Sequence, residues 1–154
     1  MTLLWTKSKL PTGVAITWVM DEPCSHFAIQ FFDSFVIHSN FTGVHVLPIK
    51  DFLKTSRVIY AHKKELEFDV EAALFIKIMQ AYWGKKYDWK WFFWLAFYGL
   101  RRKLLKSEIP DKVKWQSRAK FLCTEVVEFL EPVLGYVDIG NGSPYRLAKH
   151  LGVV

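Results

Sequence analysis

The chain has 154 residues, enough for one domain with a real core and too few for two ordinary ones. At 51% hydrophobic and 17% aromatic residues it lies outside the compositional range of disordered chains, and no apolar run reaches the roughly 18 residues that cross a bilayer. Net charge is +6, concentrated in residues 101–120, where Arg101, Arg102, Lys103, Lys106, Lys112, Lys114, Arg118 and Lys120 stand against only Glu108 and Asp111, a balance that favours an anionic surface.

The opening MTLLWTKSKLPTG is interrupted by Lys7, Lys9 and Pro11 and lacks the charged start, apolar stretch and small-residue cleavage site of an export signal. The expectation is a chain without a signal peptide, cytoplasmic at synthesis. Residues 12–19, TGVAITWV, are rich in β-branched and aromatic residues after Pro11 and predict a strand. Residues 26–32 and 35–39 predict a hairpin around Asp33-Ser34. Gly43–Ile49 predicts another strand, and a short one runs from Arg57 to Tyr60.

The period then changes. Ala72, Phe75, Ile76, Met79 and Trp83 fall at i, i+3, i+4, i+7 and i+11, an apolar helical stripe with Asp69 as N-cap and Gly84 as stop. A second helix covers about 89–106, aromatic first and basic later. A third begins near Phe121 and ends by Gly135, with Cys123, Val126, Val127 and Leu130 on one face. A last short helix follows Pro144, through Arg146–His150. Strands first and helices later predict an α+β fold, an antiparallel sheet packed against helices, in a single domain over residues 1–154.

His26 and His38 lie near the ends of SHFAIQFFDSFVIHS. A two-residue loop would pair Phe32 with Phe35 and send the two imidazoles to opposite faces. A three-residue loop or a bulge pairs Phe31 with Phe35, sets His38 opposite Ala28, and puts both rings on one face as diagonal neighbours. Taken alone, two unrelated histidines is the simpler reading. Cys123, in KFLCTEVVEFL, alters the balance. A thiol at a helix N-terminus beside an imidazolium has a depressed pKa, and the amides there suit an oxyanion. Cysteine, histidine and a second polar group form the minimal nucleophile, base and orienter.

Two other chemistries are weaker. Cys24, His26, His38 and Cys123 would offer zinc two sulfurs and two nitrogens, but no CxxC, HExxH or paired-histidine spacing supports it, so neither metal nor cofactor is expected. The basic stretch with Trp83, Trp89, Trp91, Trp94 and Trp115 nearby suits single-stranded nucleic acid or a membrane interface, against the simpler and favoured reading of a solvated helix face plus a core helix rich in tryptophan. No phosphate-cradling glycine loop is present, and no specific nucleic acid is expected. With two cysteines and no export signal, no disulfide framework is expected, and the sequons at Asn40 and Asn141 read as chance matches.

Taken in order, these residues resemble the NlpC/P60 superfamily of papain-like cysteine hydrolases in its circularly permuted form. HFAIQFFDSFVIHSN matches the family's HVGIYL…FIHAS strand pair with the same separation of histidines, and GVHVLPI is similar to the GVRVxPL that trails it. GKKYDW resembles the GxPYxW segment, LCTEVVEFL stands where the family has CSELVxxxL, and SPYRLAKHLG resembles an ending of the TPxDLAxxxG type. The order His26, His38, Cys123 is that of permuted members.

The resemblance implies Cys123 as nucleophile, His26 as general base and His38 holding its tautomer. It further implies Tyr87 lining the substrate cleft, with Thr124 in the place of the usual serine. The implied activity is cleavage of an amide, foremost in a peptidoglycan stem peptide, and a phage tail-associated wall hydrolase carried in the virion would reconcile this with a leaderless chain. Alternatives are a lipid-directed acyl hydrolase or acyltransferase with the same triad, and a structural or interaction protein that keeps the fold without turnover. The implied partners are peptidoglycan or another amide-containing envelope substrate, with virion or membrane-surface contact through residues 89–120.

Overall fold

The structure is a computed structural model that describes residues 1–40, 42–87, 89–106, 120–121, 125–135 and 143–154. The fold is α+β. Its centre is a five-stranded, wholly antiparallel sheet in the order β4-β3-β2-β1-β5. These strands are β1 (Thr2–Ser8), β2 (His26–Phe31), β3 (Phe35–Asn40), β4 (Gly43–Pro48) and β5 (Ser56–Lys63). The helices are α1 (Pro11–Met20), α2 (Ile49–Thr55), α3 (Phe68–Tyr82), α4 (Trp89–Leu105), α5 (Glu131–Leu134) and α6 (Pro144–His150). A 3-10 helix over Glu125–Leu130 precedes α5, and two short strands, β6 (Lys86–Tyr87) and β7 (Lys120–Phe121), pair in parallel. Among the described residues no helix is long and apolar enough to cross a membrane.

The first correction to the sequence reading falls at the start of the chain. Residues 12–19 form a helix, and the strand next to β2 is Thr2–Ser8 instead. Leu3, Leu4 and Trp5 occupy the middle of the sheet, buried from both sides. A segment apolar on successive residues suits such a strand better than one with a single apolar face. Pro11 then fits the first helical turn, where its missing N–H costs nothing. Gly13, Thr17 and Met20 turn inward at helical spacing, while Val14 and Trp18 stay exposed. β-propensity expresses fit to a half-buried pleat, and tertiary packing overrides it here.

A large core covers one face of the sheet. Leu3, Trp5, Phe27, Ile29 and Phe31 meet Leu74, Ile78 and Tyr82 of α3, Val126, Val127 and Leu130 of the 3-10 helix, and Leu147 and Ala148 of α6. The expected α3 stripe is therefore rotated. Ile76 and Trp83 are exposed, and the buried positions are Glu71, Leu74, Ile78 and Tyr82. Both stripes are apolar over most of their length, and a polar contact separates them. The Glu71 carboxylate accepts the Phe32 amide at 2.6 Å and lies 3.2 Å from the Met1 amino group, so its side of the helix must face the sheet. The third predicted helix also differs: Phe121 lies in β7, and the helical stretch starts at Glu125 as a 3-10 helix before Pro132 opens a new α-helical turn. Gly135, at φ +78, ends it as expected.

The opposite face carries a thinner layer, with Leu4, Ala28 and Val36 under Phe52 of α2, flanked by Ile49 and Val58. At the outer side of α1, α4 packs so closely that a β-carbon at Gly99 would lie 2.7 Å from Val19 Cγ1 and 3.1 Å from Met20 Sδ.

Glu71→Ala removes the partner of a buried amide and of a buried amino group together. We expect it to destabilise the protein by about 2–4 kcal/mol, the range for breaking a buried charged interaction rather than a surface one. Urea unfolding at neutral pH measures this, and a loss no larger than that of an exposed-site control would contradict the assignment.

Candidate active site

The β2–β3 register decides where the histidines go. Phe31 pairs with Phe35 and Ala28 with His38, leaving Phe32, Asp33 and Ser34 as a three-residue connection. Phe32 and Asp33 both adopt left-handed backbone, at φ +52 and +53, and the Ser34 amide donates to Phe31 O at 3.0 Å. Of the two loop lengths the sequence allowed, this is the one that puts His26 and His38 on one face. Their ring centroids are 5.4 Å apart and the planes nearly perpendicular, at 85°.

That face is the thinner one. Phe52 packs against both rings, with centroids 6.3 Å from His26 and 5.1 Å from His38. Each residue as a whole keeps some exposure, yet the Nε2 atoms of both are buried and have no hydrogen-bond partner among the described residues. Thr6, directly opposite His26 on β1, places a third unpartnered buried polar atom, its Oγ1, on the same face. Burial pushes the His26 pKa down to about 3, with the neighbouring His38 adding to the effect. It lowers His38 to about 4, with His45 adding. Both rings are therefore neutral at pH 7, each carrying one N–H and one lone pair.

His45, absent from the sequence-derived site, is the third imidazole of this face. It pairs directly with His38 across β3–β4, with ring centroids 5.9 Å apart. Its Nε2 lies 2.7 Å from Thr42 Oγ1, whose hydroxyl donates to Asn40 Oδ1 at 2.6 Å. With the threonine proton committed to Asn40, His45 Nε2 is the donor in that contact. The signal was available: an Asn40–Gly43 pairing at the NFTG turn sets residue 45 opposite residue 38. Among the described residues no group of three or more His, Cys, Asp or Glu side chains could hold a metal ion, and Cys123 of the zinc alternative lies outside those residues. Cys24 is buried in the large core, which belongs to the other side of the sheet.

Cys123 and Thr124 lie outside the described residues, as does the side chain of Tyr87. The backbone on either side of Cys123 has two anchors. Lys120–Phe121 pair with Lys86–Tyr87, and the preceding Lys85 carbonyl approaches Gly43 closely, where a β-carbon would lie 2.8 Å from it. Gly43, at φ +128, starts β4 beside His45, so this strand pair sits at the histidine end of the sheet edge. Beyond Cys123, Val126, Val127 and Leu130 enter the large core on the opposite face from the imidazoles. The chain matches no known family model, no curated protein and no solved structure.

The lowered histidine pKa values predict how stability follows pH. A folded pKa below the unfolded value of about 6.5 means that the unfolded chain binds the extra proton as the medium acidifies. Stability should therefore be fully present above about pH 6.5 and fall toward pH 4, at up to about 1.4 kcal/mol per pH unit for each imidazole. Glu22, whose carboxyl is raised by burial and only partly offset by its hydrogen bond from Ser143, works in the opposite direction. Urea midpoints from pH 7 to 4, compared between the parent and His26→Gln, isolate the histidine contribution. The variant should show the shallower slope. Equal slopes would mean that His26 is not held neutral.

Proposed function

We propose that this chain is a cysteine hydrolase of the permuted NlpC/P60 type, cleaving an amide bond with Cys123 as nucleophile, His26 as general base and His38 as the group that holds it. The observation carrying the reading is the histidine pair itself: two imidazoles 5.4 Å apart on one face, where a three-residue hairpin loop keeps them together. The chain before Cys123 supports it as well, since β7 ends two residues earlier and pairs with β6, which follows the Lys85 carbonyl that approaches Gly43 at the start of the edge strand β4.

In the proposed reaction the Cys123 thiolate attacks the amide carbon, and the negative charge moves to the carbonyl oxygen. Collapse expels the amine, which takes its proton from the His26 imidazolium and leaves a thioester. Water then adds to the thioester, giving His26 its proton, and the acid product departs as the thiol re-forms. A neutral, buried imidazole is a weak base by itself. A thiolate beside it offsets that, because an opposite charge in a dry site stabilises the protonated ring. Tyr87 and Thr124 would contact the substrate, with a stem peptide of peptidoglycan as the foremost candidate and virion carriage as the route to it.

A second reading, a binding protein without turnover, is favoured by one specific observation. The residues after Cys123 pack on the face of the sheet away from the imidazoles.

Alkylation by iodoacetamide, followed across pH by mass spectrometry, separates the two. Cys123 should react about two pH units below the ordinary thiol range of about 8.5, with buried Cys24 slow throughout, and His26→Ala should abolish the difference. Cys123→Ala should then abolish release of fragments from purified peptidoglycan. A Cys123 titrating like an ordinary thiol would leave the non-catalytic reading.

A further inference from the structure

The outer face of α4 carries a row of exposed apolar side chains. Phe97, Leu100 and Leu104 recur at i, i+3 and i+7 and are all exposed, Leu104 by 71% and Phe97 by 61%. Trp18 of α1, 58% exposed, extends the stripe sideways across the tight crossing at Gly99. Lys103 stitches the two helices together, donating to Trp18 O at 3.0 Å with its ammonium 3.8 Å from the centroid of the Trp18 ring. The borders of the stripe are cationic. Lys90 and Arg101 lie on one side and Lys103 on the other, all exposed, and α4 contains no acidic residue.

We propose that this α1–α4 face docks on the surface of an anionic lipid bilayer, with α4 lying in the plane of the interface. The apolar stripe would enter the acyl boundary while the flanking ammonium and guanidinium groups stay at the level of the headgroup phosphates. The charge decides between occupants. A second copy of this chain would bring its own cationic border against the first, whereas an anionic lipid surface complements both borders at once. The helix does not insert across the bilayer, since it is neither long nor apolar enough to span one. The inference stands apart from the cysteine hydrolase reading, and Cys123→Ala should bind vesicles as the parent does.

Co-sedimentation of the full chain with vesicles tests it. The parent should bind equimolar phosphatidylcholine–phosphatidylglycerol vesicles at least about tenfold more tightly than pure phosphatidylcholine vesicles, and high salt should erase the difference. Phe97→Ser with Leu104→Ser should lose binding to the mixed vesicles. Lys90→Gln with Arg101→Gln should weaken it at least about tenfold, at about fivefold per charge. All four side chains are exposed, and circular dichroism checks that the variants remain folded. Failure of the parent to bind mixed vesicles would overturn the proposal, as would equal binding to both vesicle types. So would a dimer in analytical ultracentrifugation that Phe97→Ser and Leu104→Ser dissolve while vesicle binding is unaffected.

Discussion

The hydrogen bond from the Phe32 amide to the Glu71 carboxylate is the constraint on which the rest of the site depends. It spans from the tip of the β2–β3 hairpin to the first turn of α3. Two successive non-glycine residues in left-handed backbone are uncommon and strained, and a charged acceptor buried at that point offsets the cost. The three-residue loop sets Phe31 against Phe35, and this register alone brings His38 beside His26. A slip of one residue would send one ring into the large core and the other into the thin layer. The same carboxylate fixes the roll of α3, so the helix packing and the histidine geometry share one cause.

The two faces of the sheet are built to different depths, and that difference sets the chemistry. One face carries α3, the 3-10 helix and α6 and is filled by large side chains. The other is covered chiefly by one short helix, from which Phe52 alone is buried. A single phenyl ring lying over two imidazoles excludes water from their Nε2 atoms without supplying a hydrogen bond in exchange. The rings are neutral for that reason, since desolvation penalises the imidazolium and no nearby described carboxylate counters it. Nearer the strand end, His45 Nε2 has a hydrogen-bond partner in Thr42 Oγ1, which itself donates to Asn40 Oδ1.

Much of this arrangement was legible in the sequence. The hairpin, β4, the extent of α4 and the short final helix follow from turn residues and periodicity, and the histidine face follows once a loop length is chosen. What was not legible has physical reasons. TGVAITWV has the composition of a strand, and only the competition with TLLWTKS for the place beside β2 makes it a helix. The roll of α3 could not be read from apolar spacing, because Leu74 and Ile78 match Phe75 and Met79 in hydrophobicity and the deciding partner of Glu71 lies 39 residues away. His45 escaped because its place opposite His38 depends on pairing across the Asn40–Gly43 turn. A motif centred on two histidines does not look for a third.

The helical conformation of residues 11–20 has a consequence for the molecular surface. With β1 an interior strand between β2 and β5, α1 lies outside the sheet, packed against both β1 and α4. Gly99 permits that crossing by leaving room for Val19 and Met20. The remaining apolar side chains of the two helices, Trp18 from one and Phe97 and Leu104 from the other, are left pointing outward together. The arrangement that buries Leu3, Leu4 and Trp5 within the sheet thus goes with an exposed apolar surface on α1 and α4. The cations along its border determine which kind of surface could cover it.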